Sequence, residues 1–309
     1  MWRNSRELFD LVDDARGGRM QVFKRKLKFK LRYVWFRNEL EKLKHYFDSK
    51  QLLDLLRTDP SLHLKCIRPY LWAGLNANQR LMAQMAFFDW LLSVYSSHQI
   101  AHFYKMNHIT LCEFPVKDRR LGVQIRPARG LGREGEIAIF LCLDDLALMK
   151  ASFTVLPLSL LGVAGDGHAM VVGAFQGEKQ SLDRIKETTQ LMERIKPAHL
   201  LFNVLQSFAQ VWQLQTIVGV SDSTHAYASY KRTLAKRVKT NYDAIWQELG
   251  GEQLRNRPHW VLPRNWQPKP EAEVESKKRA AYRRRNVLRQ SFMNACTEAA
   301  PHLFNNIQG

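Results

Sequence analysis

The chain has 309 residues, 45% of them hydrophobic, enough to build a sizeable core and too many for a disordered protein. Surface scaling predicts one large domain of about 200 to 250 residues with appendages, or two smaller ones. Lys plus Arg number 47 against 29 Asp plus Glu, a formal excess of 18 positive charges. That excess implies an anionic partner: nucleic acid, an anionic membrane surface or a phosphorylated ligand.

Cys66, Cys112, Cys142 and Cys296 are far apart and form no CxxC pair, which argues against a zinc knuckle or disulfide scaffold and for a reducing cytoplasm. The start, MWRNSRELFDLVDDARGG, carries Glu7, Asp10, Asp13 and Asp14 in an amphipathic pattern rather than the apolar stretch of a secretory signal. The longest apolar runs, such as Phe153 to Ala164, contain Pro157 and Ser159 and predict no transmembrane helix.

Residues 1–110 read as a helical, basic region. In VFKRKLKFKLRYVWFRNELEKLKHYF, basic residues from Lys24 to Arg32 interleave with Phe23, Leu27, Phe29 and Leu31, and the later Leu40, Leu43 and Phe47 set a helical period. Asp48 and Ser49 offer caps for QLLDLLRTDP, which stops at Pro60. One long helix is predicted from Asn78 to about Phe103, on Leu81, Met85, Phe88, Leu92 and Tyr95.

Residues 111–265 read as an α+β core. HITLCEFP, LGVQIRP, GEIAIFLCLDD, KASFTVLPLSLLG and HAMVVGAFQG are short β-rich segments whose spacing predicts an antiparallel meander. Helices follow in SLDRIKETTQLMERI and, after Pro197, in AHLLFNVLQSFAQVWQL. TIVGVS is a strand, NYDAIWQELGGE a helix closed by Gly250 and Gly251, and HWVLP a strand. Residues 266–309 hold a proline-rich linker and a basic helix, SKKRAAYRRRNVLRQSF. The fold class is α+β: a helical N-terminal part, a mostly antiparallel sheet with helices, and a basic C-terminal helix.

The ordered series GAFQG, KPAHLLFNVLQSFAQ, IVGVSDSTH, YDAIWQELGGE, HWVLP and SKKRAAYRRR resembles the VirK/YbjX family of bacterial proteins, most closely over residues 169–290. LHLKCIRPYL stands where that family has an R-P-Y motif. The resemblance implies a role tied to envelope properties and virulence, and carries over no catalytic residues. A second resemblance is to the latter half of GNAT-type acyltransferases. It rests on the antiparallel strands, the helix after a glycine turn, the strand with a small polar end and the Tyr-containing helix ending in LGG. In that fold the pantetheine of acyl-CoA lies between two splayed strands and a helix N-terminus holds its pyrophosphate. The resemblance implies acyl-CoA as a cofactor and Gln176, Gly177, Glu178 and Lys179 as its anion loop. That loop has one glycine where the GNAT loop has two or three, and two helices, not one, stand before TIVGVS.

GVSDSTHAYASY supports two readings. Asp222 and His225 at a strand's carboxyl end suit a general base and its partner facing a cleft. Equally, Asp222 or Ser223 suits the cap of a helix starting at Thr224. His98, His102 and His108 lack a third ligand held with metal-site precision and read as a solvated face. Asp144 and Asp145 read as a strand-ending turn and GDGHAM as a tight hairpin turn. No GxSxG, Walker or HExxH pattern occurs.

The run of Lys277, Lys278, Arg279, Arg283, Arg284 and Arg285 contains no acid and reads as an anion-binding face. The competing reading pairs these arginines with Glu271, Glu273 or Glu275. With the aromatic and basic stretch from Lys24, it suits peripheral attachment to the inner membrane slightly better than nucleic acid. Two functions follow: an acyl or aminoacyl transferase acting on an envelope component, with His225 as base, or a non-enzymatic adaptor for an anionic surface.

Overall fold

The computed structural model describes residues 9–10, 18–229, 240–254 and 259–303. Among the described residues, after a helical pair at 9–10, six helices precede the sheet: α1 (Arg19–Trp35), α2 (Arg37–Ser49), α3 (Leu53–Thr58), α4 (Leu64–Ile67), α5 (Ala77–Val94) and α6 (Ser97–Lys105). The helix predicted from Asn78 to Phe103 is therefore two helices. The apolar period runs through the break, but Tyr95 is extended, and Ser96 with Gln99 forms a capping box that starts α6 afresh. Asn76 and Gln79 do the same for α5. The caps expected from Asp48 and Ser49 are not used. The N-cap of α3 is Leu52 without a side-chain bond, and the Ser49 hydroxyl donates back to the Tyr46 carbonyl.

Eight strands form one sheet: β1 (Ile109–Val116), β2 (Arg119–Pro127), β3 (Ile137–Leu143), β4 (Leu146–Pro157), β5 (His168–Gly177), β6 (Thr216–Val220), β7 (Glu252–Gln253) and β8 (His259–Leu262), in the order β1-β2-β3-β4-β5-β6-β8-β7. The meander β1 to β5 is antiparallel, as its alternating runs predict. Asp144 and Asp145, at φ 45° and 67°, make the two-residue β3–β4 turn, a left-handed pair that Asp tolerates. GDGHAM is not a tight hairpin: residues 158–167 join β4 to β5 and include a 3₁₀ turn at Leu158–Leu161.

One pair is parallel, β5 with β6 over Ala169–Val172 and Thr216–Gly219. A parallel return needs a crossover, supplied by α7 (Leu182–Leu191) and α8 (Pro197–Val211). From Leu200 to Ala209 every residue of α8 is buried, so the helix is covered on all sides. It packs on β4 and under α10 (Arg279–Ala299), with α9 (Tyr242–Glu248) on β6 and β8. One apolar cluster runs from Phe47 of α2 and Phe88 of α5 through Ile139 and Phe153 of the sheet to Phe208 of α8 and Phe292 of α10. All four cysteines are unpaired as disulfides.

Candidate functional site

The parallel pair ends at Val172 and Gly219, yet β5 continues to Gly177. At this fork the chain leaves β6 through Ser221, whose hydroxyl lies 3.0 Å from that of Ser223 and 2.9 Å from that of Thr224. Asp222 is a cap, but for a distant helix. Its carboxylate accepts the Tyr242 N–H at 2.9 Å and the Asp243 N–H at 3.3 Å, at the start of α9. No α-helix begins at Thr224; short 3₁₀ turns occupy 222–224 and 226–229. Between the two turns His225 is extended and bridged to Trp72, and the Ala73 N–H donates to the Thr224 carbonyl at 2.7 Å.

His225 is 2% exposed. Its Nε2 lies 3.1 Å from Glu134 Oε1 and 3.1 Å from the Gly173 carbonyl, and its Nδ1 accepts the Tyr227 N–H at 3.3 Å. Nδ1 is thus the acceptor and Nε2 carries the proton, an assignment drawn from these partners. The ring stacks between Tyr242 and Tyr227, centroids 4.9 and 5.5 Å away and planes within 15°. The Tyr242 hydroxyl is buried, with the Phe175 backbone near it. Burial first, then the Glu134 charge, pushes its pKa well up.

Sequence reasoning missed Glu134, which pairs with His225 across the chain. The loop that carries it fits only because of glycine. A Cβ on Gly173, the extra residue of the β4–β5 bulge, would lie 2.0 Å from the Glu134 carbonyl oxygen, and one on Gly135 would lie 2.6 Å from the Phe153 nitrogen. Two residues beyond Glu134, the buried Glu136 pairs with Lys65 and accepts the Tyr70 hydroxyl at 2.6 Å, while Lys65 Nζ also donates to the Gly135 carbonyl at 3.3 Å. Burial raises the Glu136 pKa, and Lys65 opposes the rise. The Leu71 N–H donates to the Arg133 carbonyl at 2.7 Å. Lys65, Tyr70 at the end of the R-P-Y segment (Arg68, Pro69, Tyr70) and the Leu71 N–H therefore strap the loop that presents Glu134 to His225.

The expected anion loop lies farther along β5. Gln176 and Gly177 pair with Lys150 and Met149 of β4. Four residues separate Gly173 from Gly177, about 13 Å of strand, so the structure puts this loop and His225 at opposite ends of one strand segment. Glu178 meets Lys150 at 2.9 Å and the Lys179 N–H at 3.1 Å. Burial pushes the Glu178 carboxyl up, but the bonds from Lys150 and the Lys179 N–H outweigh it and hold the pKa low. His98 and His108 are exposed and His102 half-buried. Among the described residues no three His, Cys, Asp or Glu side chains are placed to hold a metal.

The C-terminal cations divide by helix face. Lys277 and Lys278 meet Glu275 at 3.8 and 2.8 Å, and Arg283 meets Glu271 at 2.5 Å, all exposed. Arg284 is exposed. Arg279 Nε donates to the Val274 carbonyl at 3.0 Å and Arg285 Nε to the Glu193 carbonyl at 2.8 Å. Arg289 reaches the buried Asn203 at 2.7 Å over the Trp266 ring, and burial draws its pKa down to about 10. Arg283→Ala with Arg284→Ala is expected to leave the melting temperature unchanged, since exposed pairs add little. Arg285→Ala, which strips a partner from the Glu193 carbonyl, is expected to cost about 1 to 2 kcal/mol in thermal melts.

The fold and this site define an α+β protein with one parallel junction in an otherwise antiparallel sheet and a buried histidine–glutamate pair at that junction. The family described as "Protein of unknown function (DUF535)" matches residues 18–298, and the chain belongs to it, the VirK/YbjX family. The chain is 28% identical over 236 residues to the uncharacterized protein YbjX of Escherichia coli, covering 75% of this chain and 69% of YbjX. An uncharacterized protein of Haemophilus influenzae is 28% identical over 120 residues, 38% of this chain and 40% of that one. Another from the same organism is 29% identical over 132 residues, 42% and 43% of the two chains. No solved structure matches. No described helix is long and apolar enough to cross a membrane.

Proposed function

We propose that the chain is a GNAT-like acyl or aminoacyl transferase acting on an envelope component or its precursor at the cytoplasmic face of the inner membrane. The observation that carries this reading is the fork. β5 parts from β6 after Val172 and Gly219, a His–Glu pair sits where they part, and a loop leading into a helix N-terminus lies about 13 Å along β5. These are the features that the GNAT resemblance assigns to the reacting end and the pyrophosphate end of an acyl-CoA. Nδ1 takes the proton of the acceptor's amine or hydroxyl as that group bonds to the donor's carbonyl carbon, and Glu134 on Nε2–H steadies the imidazolium. The imidazolium returns the proton to the thiolate or alkoxide released when the donor's acyl bond breaks. Two internal contacts give way: the acceptor replaces the Tyr227 N–H at Nδ1, now at 3.3 Å, and the donor replaces the Glu178 carboxylate at the Lys179 N–H, now at 3.1 Å.

Calorimetric titration with acyl-CoA and with aminoacyl donors tests the reading. One donor class is expected to saturate, and His225→Asn is expected to keep that binding while transfer falls about 10²- to 10⁴-fold. Absence of binding by every donor class overturns it. A second reading, a non-enzymatic adaptor for an anionic membrane or nucleic acid, is favoured by the engagement of both His225 nitrogens by protein atoms. It predicts that negative titration.

A further inference from the structure

Six large apolar side chains of α1 face solvent: Met20, Phe23, Leu27, Leu31, Val34 and Trp35, with Phe23 63% and Trp35 83% exposed. Only five other large apolar residues, Met82, Val94, Leu146, Leu182 and Val287, are so exposed among the described residues, and they are scattered. At about 100° per residue the six fall within about 120° of the helix circumference, one stripe that only Lys24 interrupts. The opposite side holds α1 to the body: Phe29 is buried, its ring 5.5 Å from that of Phe9 and 6.0 Å from the Arg68 guanidinium, and Lys26 pairs with Asp10 at 2.9 Å. α1 contains no acidic residue. Lys28 lies along one edge of the stripe and Lys30 along the other, and Lys24 falls within it between Leu31 and Trp35, all exposed.

We propose that α1 is an interfacial helix that lies flat on an anionic bilayer, its apolar stripe at the acyl boundary and its flanking lysines among the lipid phosphates. The charge pattern selects this occupant. A second copy would bring the same cations face to face, on a chain already carrying an excess of 18 positive charges. A neutral apolar groove would leave the lysine edges unmatched. An anionic surface satisfies stripe and edges together, because apolar insertion and phosphate attraction act on the two parts of one helix face. This inference uses no residue of the fork and stands whether or not the chain transfers an acyl group.

The test is flotation of the full chain with vesicles of phosphatidylglycerol and phosphatidylethanolamine, against vesicles of phosphatidylcholine alone. Binding to the anionic vesicles is expected at low salt, with little to phosphatidylcholine. Replacing Lys24, Lys28 and Lys30 together by Gln is expected to weaken it roughly 100-fold. Phe23→Ser with Leu27→Ser is expected to weaken it at least about tenfold even at low salt. Both variants should melt as the parent does, because the altered side chains face solvent. Three results overturn the proposal: no flotation with anionic vesicles, flotation indifferent to Phe23→Ser with Leu27→Ser, or a dimer that these serines dissolve in a chain that ignores lipid.

Discussion

Gly173→Ala is expected to destabilise the protein by about 3 kcal/mol or more and to dismantle the fork. The new Cβ would stand 2.0 Å from the Glu134 carbonyl oxygen and 2.8 Å from its carbon, both backbone atoms that cannot rotate away as a side chain end can. Relief requires lifting the loop, which takes Glu134 from His225 and Gly135 from the Phe153 backbone in one movement. The control is Gly122→Ala, whose Cβ would meet only Cys142 Cβ at 3.9 Å, an ordinary contact. Urea midpoints for the two variants decide the matter. A Gly173→Ala midpoint equal to that of Gly122→Ala would show that the loop does not rest on the strand.

Breaking the Lys65–Glu136 pair is expected to be comparably severe, about 3 to 5 kcal/mol at neutral pH for Lys65→Met, because the carboxylate left behind is fully buried. Glu136 already has a raised pKa through burial, and removing Lys65 removes the charge that opposes the rise. The sign follows from the direction of the shift. A carboxyl whose folded pKa is raised is penalised only when ionised, so the penalty is absent below the unfolded value near 4.5 and grows as pH rises through the folded one. Lys65→Met should therefore lie nearest the parent at acid pH and fall behind above about pH 4.5. The double variant Lys65→Met with Glu136→Gln leaves no buried charge and should recover at least about 1 kcal/mol relative to the sum of the single losses. Strict additivity, or a loss that ignores pH, would contradict a buried ion pair.

The local parts of this fold were legible in the sequence, because period and punctuation act within a few residues. The five alternating runs before Gly177 mark the meander, the helical period after it marks the two helices, though not the parallel return they serve, and Pro197 and Gly250 mark ends where predicted. The missed break at Tyr95 was also local. The Ser96 and Gln99 spacing marks a cap, but the apolar period runs through it unbroken and hides the break. Within the arginine run the face is set by tertiary packing: Arg285 and Arg289 line up with Phe292 and Cys296 at helical spacing toward the body, while Arg283 and Arg284 stay exposed. Other features lay beyond any local signal. Asp222 caps a helix twenty residues on, and Glu134 meets His225 only after the meander, the crossover and β6 have been laid down. The α1 stripe was visible as alternating basic and apolar residues, but which side faces the body was fixed only by the burial of Phe29.

The claim that the β5–β6 fork receives an acyl or aminoacyl donor is tested most directly by amide hydrogen exchange with and without the donor that calorimetry selects. Slowed exchange is expected at Gly173 to Lys179, the part of β5 beyond its last β6 partner and the loop that follows. Slowing confined to other parts of the molecule, or no change at a saturating donor concentration, would contradict it.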